Sequence, residues 1–183
     1  MTHTVDGRAI AIRVPTREDI PALAAFAAAM PAHDLLFLAR DIRQPRVLEA
    51  WLDNQEAGQI ASFIAVDGGA IVATVAAISD RLSWSAHVWD LRLLVGPSVR
   101  NKGLGRALLD RAVAAAVAAG ATKLTARMTP DQTGAITLFE ESGFRAEALL
   151  RDQLRDAEGG LHDLAVLAME PAREASRREA FGD

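Results

Sequence analysis

Hydrophobic spacing divides the chain into alternating strand-like and helix-like segments. Residues 9–14 form a short apolar-rich run interrupted by Arg13, which reads as a first strand. After it, Ile20, Leu23, Ala24, Ala27 and Met30 recur at helical spacing, with Pro21 in the first turn and Pro31 as the stop. Asp19 is the expected N-cap of that helix. Residues 34–42 are apolar without a decided period, and Pro45 opens a second helix with Val47, Leu48, Trp51 and Leu52 on one side and Gly58 at its end. The runs 60–66 and 70–78 flank Asp67-Gly68-Gly69 and predict a hairpin. Residues 88–95 read as a strand. Residues 104–119 read as a helix showing Leu104, Leu108, Ala112 and Ala115 on one face and ending at Gly120.

The second half continues in the same way. Residues 122–128 alternate, with Leu124, Ala126 and Met128 set against Lys123, Thr125 and Arg127. Thr129-Pro130-Asp131 breaks that run, and a short helix follows to Ser142 with Gly143 as its stop. Residues 144–154 and 161–169 form a last strand pair, and the charged end from Arg173 onward reads as a frayed tail or surface helix. The order β-α-α-β-β-β-α-β-α-β-β predicts a mixed α/β domain around one central sheet. No repeat or linker divides it.

Composition narrows the chemistry. A chain of 183 residues is one domain of ordinary size, able to bury roughly 70% of its unfolded surface. It has no cysteine, which excludes disulfides, thiolate metal sites and cysteine nucleophiles. His3, His33, His87 and His162 are scattered without metal-ligand spacing, so no metal site is expected. A net charge of −4 speaks against a nucleic-acid-binding face and mildly favours a cationic or amine-bearing partner. No apolar run reaches the ~20 residues that span a bilayer, and the N-terminus lacks the basic flank and apolar core of a signal peptide. The reading is a cytoplasmic protein without membrane or nucleic-acid partners.

The segment between strand 88–95 and helix 104–119 carries the strongest signal. It reads Val-Gly-Pro-Ser-Val-Arg-Asn-Lys-Gly-Leu-Gly-Arg from Val95 to Arg106. A helix N-terminus leaves backbone N–H groups without internal partners, and the helix dipole adds about half a positive charge there. Gly103 and Gly105 let an anion approach the backbone without a Cβ in the way, and Arg100, Lys102 and Arg106 add formal positive charge. A pyrophosphate is the natural occupant.

Three motifs in order then resemble one family. Arg100-Asn101-Lys102-Gly103-Leu104-Gly105 is similar to the Gln/Arg-x-x-Gly-x-Gly/Ala loop of the GNAT superfamily, the Gcn5-related N-acetyltransferases. The stretch from Ala135 through Phe139 to Gly143-Phe144 resembles its fourth helix, and Ile10 through Arg13 with Asp19-Ile20 resembles its opening strand and helix. The resemblance covers 8–171, leaving 172–183 as a C-terminal tail. It implies a mixed, mostly antiparallel sheet of six to seven strands flanked by about four helices. One parallel pair in that sheet would splay apart at the site of acetyl-CoA. It further implies a pantetheine arm along Leu93, Leu94 and Val95, and a pyrophosphate on the amides of Arg100, Asn101, Lys102, Gly103, Leu104, Gly105 and Arg106. Gln132 stands near the place of a common family asparagine, and Phe139 stands where many members carry a tyrosine that protonates the departing thiolate. The chain contains no tyrosine. Edge-strand pairing into a homodimer is a further expectation of the resemblance.

The reaction so implied is attack of a primary amine on the thioester within a ternary complex, with no protein nucleophile. It needs a proton acceptor for the amine and an N–H donor near Val95 for the developing oxyanion. Asp90, on the strand leading to Val95, is the first candidate base, against an ion pair with Arg92. His87 is a second. His33 and Asp34 lie between the first two helices, where the family builds its acceptor pocket, although Asp34 equally suits a cap. Trp84, in a polar loop, is an acceptor-site candidate, Trp51 reads as core, and Trp89 could take either place. His162-Asp163 reads evenly as structural or as pocket rim, and the 173–178 arginines as a solvated face. The acceptor, a small-molecule or protein amine, is not specified by these residues. A Rossmann reading fails because Leu108 stands where the third glycine should be. A non-catalytic acyl-CoA-binding module is the remaining alternative, supported by Phe139.

Overall fold

The apolar residues of the strands and of the flanking helices are buried around one sheet with helices on both faces. The computed structural model describes residues 2–38 and 40–181, without the side chains of Arg178 and Phe181, so the outermost part of the expected tail lies outside the described residues. The strands are β1 (Thr2–Val5), β2 (Arg8–Arg13), β3 (Ile60–Asp67), β4 (Ala70–Ile78), β5 (Val88–Val95), β6 (Lys123–Met128), β7 (Arg145–Arg155) and β8 (Leu161–Met169). Helices α1 (Ile20–Ala29), α2 (Pro45–Glu56), α3 (Leu104–Ala118), α4 (Thr133–Glu141) and α5 (Pro171–Phe181) complete the order. The sheet runs β1-β2-β3-β4-β5-β6-β8-β7, antiparallel throughout except for the β5–β6 pair.

Eight strands replace the expected six to seven, and five helices the expected four. The added strand is β1, which pairs with β2 from Thr2 opposite Ala11 to Val5 opposite Arg8. It is only four residues long, too short to show a period against its polar neighbours. The added helix is α5, which gives the charged end the surface-helix form, one of the two expected of it. Asp19 departs from its expected part. Its side chain makes no cap bond to α1 and instead accepts the Thr16 N–H at 2.8 Å and two Arg13 nitrogens at 2.6 Å.

Two hydrophobic clusters lie on opposite faces. The larger packs α3 and α4 on the sheet through Leu104, Leu108, Leu109, Ala112 and Phe139 against Trp89, Leu91, Leu124 and Ala126. Leu104, Leu108 and Ala112 recur every four residues, so one face of α3 is wholly buried. Trp89 belongs to this core rather than to an acceptor site. The smaller cluster holds α1 and α2 on the other face through Leu23, Phe26, Met30 and Leu48 against Ile64, Ile71 and Leu94. Successive residues of β5 therefore face different helices, Leu93 and Val95 toward α3 and Leu94 toward α1.

Candidate active site

The glycine loop takes the shape its composition suggests. Gly103 caps α3 with φ of +77°, a left-handed conformation that a side chain would strain. Gly105 meets a different demand. A Cβ there would lie 3.2 Å from Leu138 Cδ2 and 3.4 Å from Val95 Cγ2, so its missing side chain lets the start of α3 pack closely against β5 and α4 at the groove wall. The cations around the loop are already engaged. Arg100 Nε donates to the Val95 carbonyl at 2.9 Å, and its guanidinium pairs with Asp34. Lys102 pairs with Asp6, while Arg106 lies 3.4 Å from Asp110 and 3.8 Å from Glu141. The loop thus has backbone amides and the α3 dipole, more than free formal charge, to offer an anion.

Beside this loop the parallel pair opens. Strands β5 and β6 pair from Val88 opposite Lys123 to Leu91 opposite Ala126, and no pairing follows. On its other edge β5 stays bound to β4 as far as Val95 opposite Ala73. The β6-facing edge beyond Leu91 thus leaves the ladder while the strand itself stays rigid. The gap widens into a groove of about 710 Å³. Its walls come from both faces of the sheet, with Leu93, Leu138 and Phe139 on the α3 side and Met30, His33 and Phe37 on the α1 side.

Most of the residues expected at the cofactor border this groove, namely Leu93, Leu94, Val95, Arg100, Asn101, Gly103, Gly105, Arg106, Gln132 and Phe139. Lys102 and Leu104 do not. Lys102 turns toward Asp6, and the Leu104 side chain is fully buried in the core, leaving only its amide for an anion. Phe139 is 3% exposed and packs edge-on against Phe144 with centroids 5.0 Å apart. Gln132 Oε1 accepts the Thr129 N–H at 3.2 Å and so braces the turn into α4.

Two of the expected site residues lie away from the groove. Asp90 is outside its lining, and its carboxylate lies 3.0 Å from Arg92 Nε and 3.6 Å from Arg127 Nε while accepting the Thr125 hydroxyl at 3.2 Å. It is an ion-paired strand carboxylate, with its lone pairs spent on neighbours. Trp84 is fully exposed and borders neither large cavity, because the 80–87 segment turns outward between β4 and β5. His87 precedes β5 at the far end from the groove.

His33 and Asp34 do border the groove. His33 Nε2 lies 2.8 Å from Asp131 Oδ2 and 3.2 Å from Thr129 Oγ1. Burial pushes the Asp131 carboxyl up, but the Thr129 hydrogen bond, its own backbone amide and nearby His33 outweigh this and hold it below its ordinary value. The His162 ring meets the His33 ring edge-on, with centroids 5.4 Å apart, and is itself tied to Asp156 at 2.7 Å. Sequence reasoning saw Thr129 and Asp131 only as a strand breaker. Their side-chain partners come from residues about a hundred positions away, which no local pattern encodes.

Among the described residues no group of His, Asp or Glu has metal-holding geometry, and no helix is long and apolar enough to cross a membrane. The chain matches the acetyltransferase (GNAT) family over residues 26–144. No curated protein matches it by sequence. Among solved structures it is similar to an acetyltransferase of the GNAT family from Streptococcus pneumoniae, at 23% identity and a TM-score of 0.76, over 88% of this chain and 99% of that one. It is also similar to a protein from Salmonella typhimurium named as an acetyltransferase and bound to its cofactor acetyl-CoA, at 19% identity and a TM-score of 0.75, over 88% and 93% of the two chains. A ribosomal-protein-alanine N-acetyltransferase from Brucella melitensis gives 22% identity and a TM-score of 0.74, over 87% and 99%.

Proposed function

The chain belongs to the GNAT family of acetyltransferases, and on that footing we propose that it moves an acetyl group from acetyl-CoA to a primary amine by direct attack in a ternary complex. The observation that carries this reading is the groove through the sheet. It joins an amide-lined anion site at the start of α3 to a wall of polar side chains on the opposite face. A site for one long molecule ending in an acyl group, open to a second molecule from the other side, needs such a passage.

The residues present fit acetyl-CoA. The groove beside Gly105 and the unladdered edge of β5 suit a narrow polar arm. Bound there, acetyl-CoA supplies a thioester that an amine attacks, releasing the thiol. The amides of residues 100–106 would hold the pyrophosphate, and the β5 edge at Leu93, Leu94 and Val95 would align the pantetheine arm. Backbone N–H groups near Val95 would face the charge developing on the carbonyl oxygen.

His33 takes the part of proton acceptor in this scheme, in place of Asp90. With Nε2–H donated to Asp131 at 2.8 Å, its Nδ1 keeps a lone pair. Asp131 stabilises the imidazolium that forms. Phe139 donates no proton. The thiolate leaves unaided by an aromatic hydroxyl, which a thiol of pKa about 8.5 tolerates near neutral pH.

Calorimetry with acetyl-CoA, followed by thiol-release assays over a panel of amines, tests the proposal. Micromolar binding with amine-dependent thiol release is the expected result. Buried Phe139 favours one second reading, a non-catalytic acyl-CoA sensor, and binding without release from any amine would establish it.

A further inference from the structure

We propose that the acceptor is an amine carrying both an apolar body and a carboxylate, an amino-acid-like molecule, and that Arg92 reads the carboxylate from the wall of a second cavity. This rests on the acetyl transfer proposed above. The cavity, of about 320 Å³, lies between α2, the segment around Ile42, and strands β3, β4 and β5. Small-molecule sites occupy about 300–1,000 Å³, so one compact molecule fills it.

Its walls are mostly apolar, built by Ile42, Val47, Trp51, Ile60, Ala76 and Leu94. The one polar atom of Trp51, its indole N–H, donates to Ser62 Oγ at 3.0 Å, so the ring presents only an apolar surface. Leu94 borders both this cavity and the groove. The cavity under α2 and the gap beside β5 therefore adjoin at the Leu94 side chain.

Charge decides which molecule. Arg40 and Arg92 border the cavity against a single acidic residue, Asp80. Behind Arg92, Asp90 serves two guanidiniums, those of Arg92 and Arg127, so one carboxylate leaves this face positive. Asp90 engages Arg92 through Nε, and among the described residues Arg92 has no other ion pair. Its terminal nitrogens are left for a planar, bidentate partner, the geometry of a carboxylate. A polyamine would meet repulsion here, and an uncharged amine would leave a quarter-exposed guanidinium facing its apolar body.

Steady-state thiol release compares matched acceptors, phenylalanine with phenethylamine and leucine with isoamylamine, and adds spermidine as the polycation. The expected result is kcat/KM about tenfold or more higher for each amino acid than for its decarboxylated partner. That preference disappears in Arg92→Gln and survives in part in Arg92→Lys. Equal or better use of the plain amines or spermidine by the wild-type protein overturns the inference, as does an Arg92→Gln effect equal on both members of a pair. Ala76→Leu, which narrows the cavity without changing charge, covers the case in which Arg92→Gln does not fold. It should raise KM for phenylalanine more than KM for glycine, and an unchanged KM for phenylalanine overturns the seat under α2. Calorimetry separates the two levels. Intact acetyl-CoA binding with a different acceptor preference sinks only the acceptor class, whereas binding without turnover of any amine sinks the transfer itself.

Discussion

In the proposed enzyme the two faces of the sheet would serve recognition in different ways. On the α3 face, the backbone would do so. An amide-rich helix start, a left-handed glycine and an unladdered strand edge are held by a core in which Leu104, Leu108, Leu109 and Ala112 are fully buried. On the α1 face, side chains would. His33, Asp131 and the β5 pair Asp90 and Arg92 come from three separate elements or turns, over a smaller core with a cavity beside it. Backbone recognition suits a ligand shared by a whole family, since it survives substitution of most side chains. Side-chain recognition suits a ligand that differs from member to member.

Substitutions on each face test that division. Gly105→Glu should have the largest effect. It puts a carboxylate against Leu138, Val95 and Leu93 at the groove wall, and acetyl-CoA affinity should fall on the order of a thousandfold by calorimetry, from displaced wall side chains and unpaired charge. A loss smaller than tenfold would detach the groove from the cofactor. Next, His33→Gln should lower kcat/KM for the amine about a hundredfold at neutral pH while leaving acetyl-CoA affinity unchanged. The limb of the pH–rate profile on which activity rises with pH should disappear with it. A mutant that keeps that limb would return the role of base to another group.

A stability effect comes third. Hydrogen bonds from the Arg13 guanidinium hold the 8%-exposed Asp19 carboxyl below its ordinary 3.8, at about 2, with support from Thr16. A depressed carboxyl stabilises the fold above its unfolded pKa, and the contribution is lost as pH falls from about 4 toward 2. Asp19→Asn should therefore lower unfolding free energy by about 2 kcal/mol at pH 7 and flatten the acid limb of a denaturation series. The smallest effect belongs to Trp84→Ala, at a fully exposed ring. Stability should stay within about 0.5 kcal/mol and the amine KM should not move. A raised amine KM would extend the acceptor site to the 80–87 loop.

Local pattern carried the parts of the molecule where one element explains itself. The spacing of Leu104, Leu108 and Ala112 announced α3 and its buried face, and Gly103 announced a special backbone. The alternation of Leu124, Ala126 and Met128 announced β6. The shortest element escaped, as β1 did, because four residues leave no period to read. Asp90 and Trp84 show the other limit. A carboxylate on the right strand and an aromatic in a loop are candidates until their neighbours are known, and those neighbours were Arg92 and Arg127 in one case and open solvent in the other.

By itself, the order of apolar and polar residues determined a mixed sheet, its flanking helices and an anion-binding turn, because each depends on interactions spanning only a few positions. The approach of His33 to Asp131, of Trp51 to Ser62, and the parting of β5 from β6 beyond Leu91 were decided only in three dimensions. Side-chain sites of that kind are sums of long-range contacts, each worth little alone, and their geometry exists only once the whole core has packed.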